Sequence, residues 1–104
     1  MKKAMISQPM GDRTYEEIQA VRQEAVDKLT KMGYDVVDTY FDHLWEKRDY
    51  LVEIRNKPLY FLSKCLEKMA QCDMVFFVKG WKDARGCRVE HEAAFNYGIE
   101  IMYD

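Results

Sequence analysis

The stretch "GWKDARGCRVEHEAAFNYGI" (80–99) places a carboxylate where a small domain rarely wants one. On a 3.6-residue period, Glu90 shares a helix face with Ala93, Ala94 and Tyr97, the face expected to be buried. Helical side chains lean toward the helix N-terminus. Glu90, in the first turn after a glycine-containing loop, therefore points back at whatever that loop encloses. A glutamate at a helix start can simply complement the dipole, an effect of about 0.3–1 kcal/mol. Glu92 fits that role, on the outer face and four residues after Arg88, an ion-pair spacing. Glu90 does not, because its neighbours on the face are small and apolar. A carboxylate partly buried in a crevice is poorly solvated and reactive, as functional acids often are.

Other reactive side chains are fewer. Cys87 lies near the same helix N-terminus, an environment that lowers a thiol's pKa. A nucleophilic cysteine needs a base beside it, and no histidine is so placed, so Cys87 is expected to be a pocket wall. His91 faces about 100° away from Glu90, and the only other histidine is His43, so a histidine-based metal site is not expected. Cys65 and Cys72 are expected to pack as small hydrophobes. Three cysteines without a C-x-x-C spacing indicate neither a disulfide framework nor a zinc knuckle. Reduced thiols in the cytoplasm, with no metal or cofactor, are the expectation.

The elements that position Glu90 follow from periodicity. "KAMIS" (3–7) is a short apolar strand stopped by Gln8-Pro9. Thr14 and Glu17 have the spacing of a capping box. Ile18, Val21, Ala25, Leu29 and Met32 then keep helical spacing until Gly33. "YDVVDTY" (34–40) is a second strand. Residues 41–57 mix aromatics with charges and are expected to form an irregular helix or a lid. Leu59, Leu62, Leu66 and Met69 mark a helix starting around Asn56-Lys57-Pro58, where proline is tolerated. "CDMVFFVKG" (72–80) is a continuously apolar strand, as when both faces are covered. The helix of Glu90 follows and ends at Gly98, and "IEIMYD" is a last strand. Alternating strands and helices predict a single α/β domain over 1–104, a Rossmann-like or flavodoxin-like parallel sheet of about four strands with helices on both faces.

Open parallel sheets bind ligands beyond the carboxyl ends of their strands, at the switch in strand order. Two loops leave such ends and run into a helix N-terminus, where free N–H groups attract anions: "SQPMGDR" and "GWKDARGC". Neither is a dinucleotide or P-loop fingerprint. The candidate binding residues are Ser7, Gln8, Met10, Gly11 and Arg13 on the first, and Trp81, Arg85, Gly86 and Cys87 on the second.

Bulk properties exclude several classes. A chain of 104 residues with 48% apolar content can build one core. A net charge of −2 with scattered basic residues lacks the footprint of a nucleic-acid binder. No apolar run approaches the roughly 18 residues of a membrane span, and the apolar stretch after Lys2-Lys3 is too short for a signal peptide.

Three pieces, "MISQPMGDR", "MAQCDMVFFVKGW" and "ARGCRVEHEAAFNYGIEI", resemble the nucleoside 2-deoxyribosyltransferase family and its relatives, the deoxynucleoside-monophosphate N-glycosidases. The similarity covers most of the chain except 40–57 and lies nearest to small bacterial and phage members. It includes a small-residue loop, a glutamate, an alanine four on and a glycine eight on, here Glu90, Ala94 and Gly98. The resemblance implies that Glu90 is a nucleophile at C1′ of deoxyribose, giving a glycosyl-enzyme ester resolved by another base or by water. That chemistry needs a carboxylate that is both nucleophile and counter-charge, with a proton donor about 5 Å away.

One departure bears on activity. Six residues before the glutamate, the transferases tend to carry an aspartate and the monophosphate hydrolases a serine; here stands Ala84, with Asp83 one place earlier. Either Asp83 takes the role, or the proton donor is absent and turnover is weak or lost. The expected ligand is thus a small nucleoside or nucleotide, held by Ser7, the amides of Met10 and Gly11, and the cations Arg13 and Arg85. The alternative is a nucleotide-binding module without turnover. Tyr40, Phe41, Trp45, Tyr50, Tyr60 and Phe61 crowd one segment, which together with the resemblance implies a homodimer or larger, with 40–61 at the interface or over the pocket.

Overall fold

The computed structural model of the chain describes residues 1–39 and 53–104. Strands β1 (Lys3–Ser7), β2 (Asp35–Val37), β3 (Met74–Phe77) and β4 (Glu100–Tyr103) form one parallel sheet in the order β2-β1-β3-β4. Helices α1 (Tyr15–Lys31), α2 (Lys57–Met69) and α3 (Arg85–Asn96) connect them. The α/β Rossmann-like fold read from the sequence is the fold observed. The chain leaves β1 toward one edge and returns on the other side of β1 to build β3 and β4. That reversal puts α1 on one face of the sheet and α2 and α3 on the other.

Alternation along the strands divides the core between these faces. Ala4, Ile6, Met74, Phe76 and Val78 meet Ala25 and Leu29 of α1. Met5, Val75 and Phe77 meet Met69 of α2 and Ala94 of α3. Strand β3 is fully buried throughout, which explains its unbroken apolar run. Ser7 lies beside Phe77 in the register, on the α2–α3 face at the carboxyl end of β1.

The helix ends are set locally. Thr14 Oγ1 accepts from the Glu17 N–H at 3.1 Å, one half of the expected capping box. Asn56 caps α2 by accepting from the Leu59 N–H at 3.0 Å, with Pro58 in the first turn. Gly33 and Gly98, at φ 93° and 71°, take the left-handed conformation that ends α1 and α3.

Four expectations need correction. The buried stripe of α1 runs Ile18-Arg22-Ala25-Leu29, while Val21 and Met32 are exposed. Tyr97 is 85% exposed because the helix ends at Asn96 and Tyr97 is its cap. Leu59 is exposed rather than part of the buried face of α2. Helix α3 also starts earlier than expected, so Arg85, Gly86 and Cys87 belong to its first turn, after a 3-10 turn at Trp81–Asp83. Most of segment 41–57, including His43, Phe41, Trp45 and Tyr50, lies outside the described residues, as does Tyr40.

Gly80 adopts φ 94°, and a Cβ there would sit 3.5 Å from Arg13 Nη2 and 3.6 Å from Pro9 Cγ. Gly86 is helical, with nothing within 4 Å of such an atom. Gly80→Ala should therefore cost about 1–2 kcal/mol through the left-handed backbone, seen as a fall of several degrees in Tm. Gly86→Ala should leave Tm unchanged or raise it. Equal thermal shifts in the two variants would contradict this assignment of the turn.

Candidate functional site

The strand order reverses between β1 and β3, and the loops leaving these strands meet there. The Val78 N–H donates to Ser7 O at 3.0 Å, extending the pairing one step past β3. Beyond it, Gly80 lies against Arg13 and Pro9 of the first loop. Helix α3 begins at Arg85, immediately after the second loop.

Glu90 is 7% exposed, between Cys87 one turn earlier and Ala94 one turn later, both buried. Its Oε2 is buried without a hydrogen-bond partner among the described residues, and so is Ser7 Oγ. The Ser7 hydroxyl nevertheless lies close enough to act on both the Glu90 carboxylate and the Cys87 thiol. It is a loose polar contact, short of a formed hydrogen bond. Burial pushes the Glu90 pKa from the ordinary 4.5 up to about 7, with the Ser7 hydroxyl pulling the other way. The expectation of a lowered thiol pKa at Cys87 does not hold. Burial raises it to about 11, offset by Ser7, raised by Glu90 and lowered by Arg13. Cys65 on α2 rises to about 12 through burial and the nearby Glu90 and Cys87, with Arg22 opposing. Burial raises both thiols, the direction opposite to that of an activated nucleophile.

The polar cluster extends beyond the residues read from the sequence. Gln8, also buried, donates from Nε2 to Ile18 O at 2.8 Å and leaves Oε1 without a partner. Arg22, 8% exposed, reaches Asp38 Oδ1 at 3.0 Å with one nitrogen, while Nη1 has no partner among the described residues. Thr39 Oγ1 donates to Ile6 O at 3.1 Å, and Cys65 Sγ lies 4.0 Å from Thr39 O. Arg22, Thr39 and Cys65 were not anticipated. The signal was available for Arg22, which sits on the Ile18-Ala25-Leu29 stripe as Glu90 sits on the stripe of Cys87 and Ala94.

A family model described as "Domain of unknown function (DUF4406)" matches residues 3–103. The chain belongs to the DUF4406 family. No curated protein and no solved structure matches it significantly. The DUF4406 match spans every described element, including the strand ends where Ser7 and Glu90 lie.

The remaining candidates of this DUF4406 domain fall into two groups. Met10, Gly11 and Arg13 form the exposed rim of the first loop, where Arg13 Nη1 donates to Gly11 O at 3.0 Å. Gly86 lies one turn before Glu90 on the same side of α3, with open space where a side chain would stand. Trp81 instead turns toward β4. It stacks on His91 at 4.2 Å and on Tyr103 at 5.8 Å, and His91 Nε2 bonds the Tyr103 hydroxyl at 2.6 Å. Asp83 is exposed in the 3-10 turn, away from the buried Glu90. A groove of about 470 Å³ runs along the outer side of α3, lined by Arg85, Arg88, Val89, Glu92, Ala93 and Asn96. It lies across the helix from Glu90 and includes none of the buried polar cluster. The anticipated Arg88–Glu92 pair does not form, since Arg88 donates to Lys82 O and Glu92 accepts from Asn96.

The pKa shift of Glu90 has a sign that can be checked. Between pH 4.5 and about 7 the folded chain holds a proton at Glu90 that the unfolded chain has lost. Stability from this group therefore falls as pH rises through that window and levels off above it, a cost of about 3 kcal/mol. Glu90→Gln should stabilise the protein by up to that amount at pH 8 and by little at pH 4.5. A gain independent of pH, or a loss at pH 8, would show that the carboxylate is solvated or paired.

Proposed function

We propose that this DUF4406 protein cleaves or transfers the N-glycosidic bond of a (deoxy)nucleoside or its 5′-monophosphate, with Glu90 as the nucleophile. The observation that carries the proposal is the Glu90 carboxylate, whose Oε2 is buried without a partner among the described residues, at the strand-order switch and one turn from the start of a helix. Such a group is costly to stability, and a site for a developing positive charge accounts for it. Attack of a Glu90 oxygen on C1′ forms the ester bond as the C1′–N bond breaks and its electron pair leaves with the base. Water, or a second base, then displaces the carboxylate. Partial desolvation keeps the anion reactive, and the Ser7 hydroxyl can steady it when ionised. The motifs shared with the deoxyribosyltransferases and N-glycosidases support the same assignment.

Nucleophilic attack needs the ionised form. The rate on bound substrate should therefore rise with pH through about 7, and not level off near 4.5. Ser7→Ala removes the hydroxyl that pulls the pKa down, so it should move this limb to higher pH. Incubation with deoxynucleosides and their 5′-monophosphates, followed by chromatography for free base, tests the activity. Release by the parent protein and none by Glu90→Gln is expected. Undiminished release by Glu90→Gln would remove Glu90 from the mechanism.

Asp83 is the loop's only carboxylate, yet it faces solvent. Its position predicts that Asp83→Asn lowers the rate by less than about tenfold, the low end for a positioned general acid. A larger loss would mean that the 3-10 turn closes inward and that Asp83 protonates the leaving base. Binding without base release by the parent would favour the second possibility, a nucleotide-binding module. We further propose a cytoplasmic homo-oligomer. Phe95 (71% exposed) and Tyr97 leave apolar surface on and beside α3, and three free cysteines suit a reducing compartment. Sedimentation equilibrium at micromolar concentration should show a species heavier than 12.4 kDa, and a monomer alone would contradict it.

A further inference from the structure

Four polar side chains around the end of β1 each bury one atom without a partner among the described residues: Ser7 Oγ, Gln8 Oε1, Arg22 Nη1 and Glu90 Oε2. Each of these residues is more than nine-tenths buried. Native proteins rarely leave such atoms unpaired, and each calls for an explanation. Arg22 has the least structural reason to be there. Its stripe on α1 is otherwise apolar, Ile18, Ala25 and Leu29, and a methionine would fill it without an unsatisfied donor. The contact to Asp38 uses one guanidinium nitrogen and leaves the other inside.

Gln8 and Arg22 share a location. The Gln8 amide is anchored on Ile18 O at 2.8 Å, and Arg22 lies one turn further along the same face of α1. Because a carbonyl only accepts, this anchor fixes the amide with its oxygen free. Arg22 holds Asp38, the neighbouring Thr39 bonds β1 at Ile6 O at 3.1 Å, and the Thr39 carbonyl lies 4.0 Å from Cys65 Sγ on α2, so contacts run from the guanidinium past the end of β1 to the other face of the sheet.

The hydrogen-bonding inventory selects the ligand. Arg22 Nη1 can only donate, Gln8 Oε1 can only accept, and the ionised Glu90 oxygen can only accept. A phosphate at neutral pH brings acceptors that would satisfy Arg22 but face two acceptor oxygens. An apolar group would satisfy none of the four. A hydroxyl accepts from one neighbour while donating to another. We infer that Arg22 and Gln8 together bind a ring hydroxyl of the substrate's sugar, which accepts from Arg22 Nη1–H and donates to Gln8 Oε1. This rests on the glycosidic reading of Glu90 and adds to it a specificity-determining residue, Arg22, on the opposite face of the sheet.

The test pairs ligand groups with protein groups. Calorimetry on the Glu90→Gln protein, which binds without turnover, would compare a ribonucleoside with its 2′-deoxy, 3′-deoxy and 2′,3′-dideoxy counterparts. Loss of the hydroxyl that is read should weaken binding on the order of 10- to 100-fold, since it strands a buried donor and acceptor. Adding Arg22→Met, or separately Gln8→Met, should reduce that discrimination to within about threefold while Tm shows each variant folded. Using both variants guards against one failing to fold. Discrimination unchanged in both, or no discrimination in the Glu90→Gln protein itself, overturns the inference and leaves the glycosidic reading standing. Failure of every nucleoside to bind overturns the glycosidic reading, and the inference falls with it.

Discussion

The structure is organised around one unfavourable burial, the Glu90 carboxylate. A raise in pKa from 4.5 to about 7 corresponds to about 3 kcal/mol against the ionised fold. That is a large fraction of the roughly 5–15 kcal/mol by which domains of this kind are stable. The rest of the fold offsets it. Strand β3 is buried on both faces, Ala94 lets α3 approach the sheet closely, and apolar clusters cover each side. The stacked Trp81, His91 and Tyr103 tie the first turns of α3 to β4, so the helix carrying Glu90 is held from outside the crevice.

A nearby cation could have removed the strain at Glu90, and one exists in Arg22. Arg22 does not do so, because its guanidinium is engaged by Asp38 beyond β2 and no cation among the described residues acts on Glu90. The two groups approach the end of β1 from opposite faces of the sheet, α3 on one side and α1 on the other. Ser7, Gln8 and Cys65 lie around them. Kept apart, they present an acceptor-rich side and a donor, an arrangement that a polyhydroxylated ligand can satisfy and a direct ion pair could not. The same separation keeps the carboxylate reactive, because an adjacent cation would stabilise its charge and lower its pKa.

Much of this was legible in the sequence. Strand and helix order, the capping residue Thr14, the start of α2 near Asn56, and the inward face of Glu90 follow from spacing and local chemistry. So does the crevice, since parallel sheets place it at the strand-order switch. Other features were not legible. Arg22 was passed over for Val21, one position away, because an apolar residue fits a buried stripe and a cation does not. Tyr97 was assigned to the buried face because the helix was extended one residue too far; as a cap, it turns outward. The pKa of Cys87 could not be read from its place near a helix start. Its depth decides the direction, and depth depends on how closely α3 packs on the sheet. Trp81 belongs to the loop by sequence but to the aromatic stack by packing, which only the position of β4 determines.

The most direct test of the central claim is the titration of Glu90 itself. A carboxyl-carbon NMR titration of glutamate-labelled protein, with the Glu90 resonance assigned by its absence in Glu90→Gln, gives the midpoint without assuming any substrate. The structure predicts a midpoint near 7. A midpoint near 4.5 would show a solvated carboxylate and would contradict the buried, poised group on which the account depends.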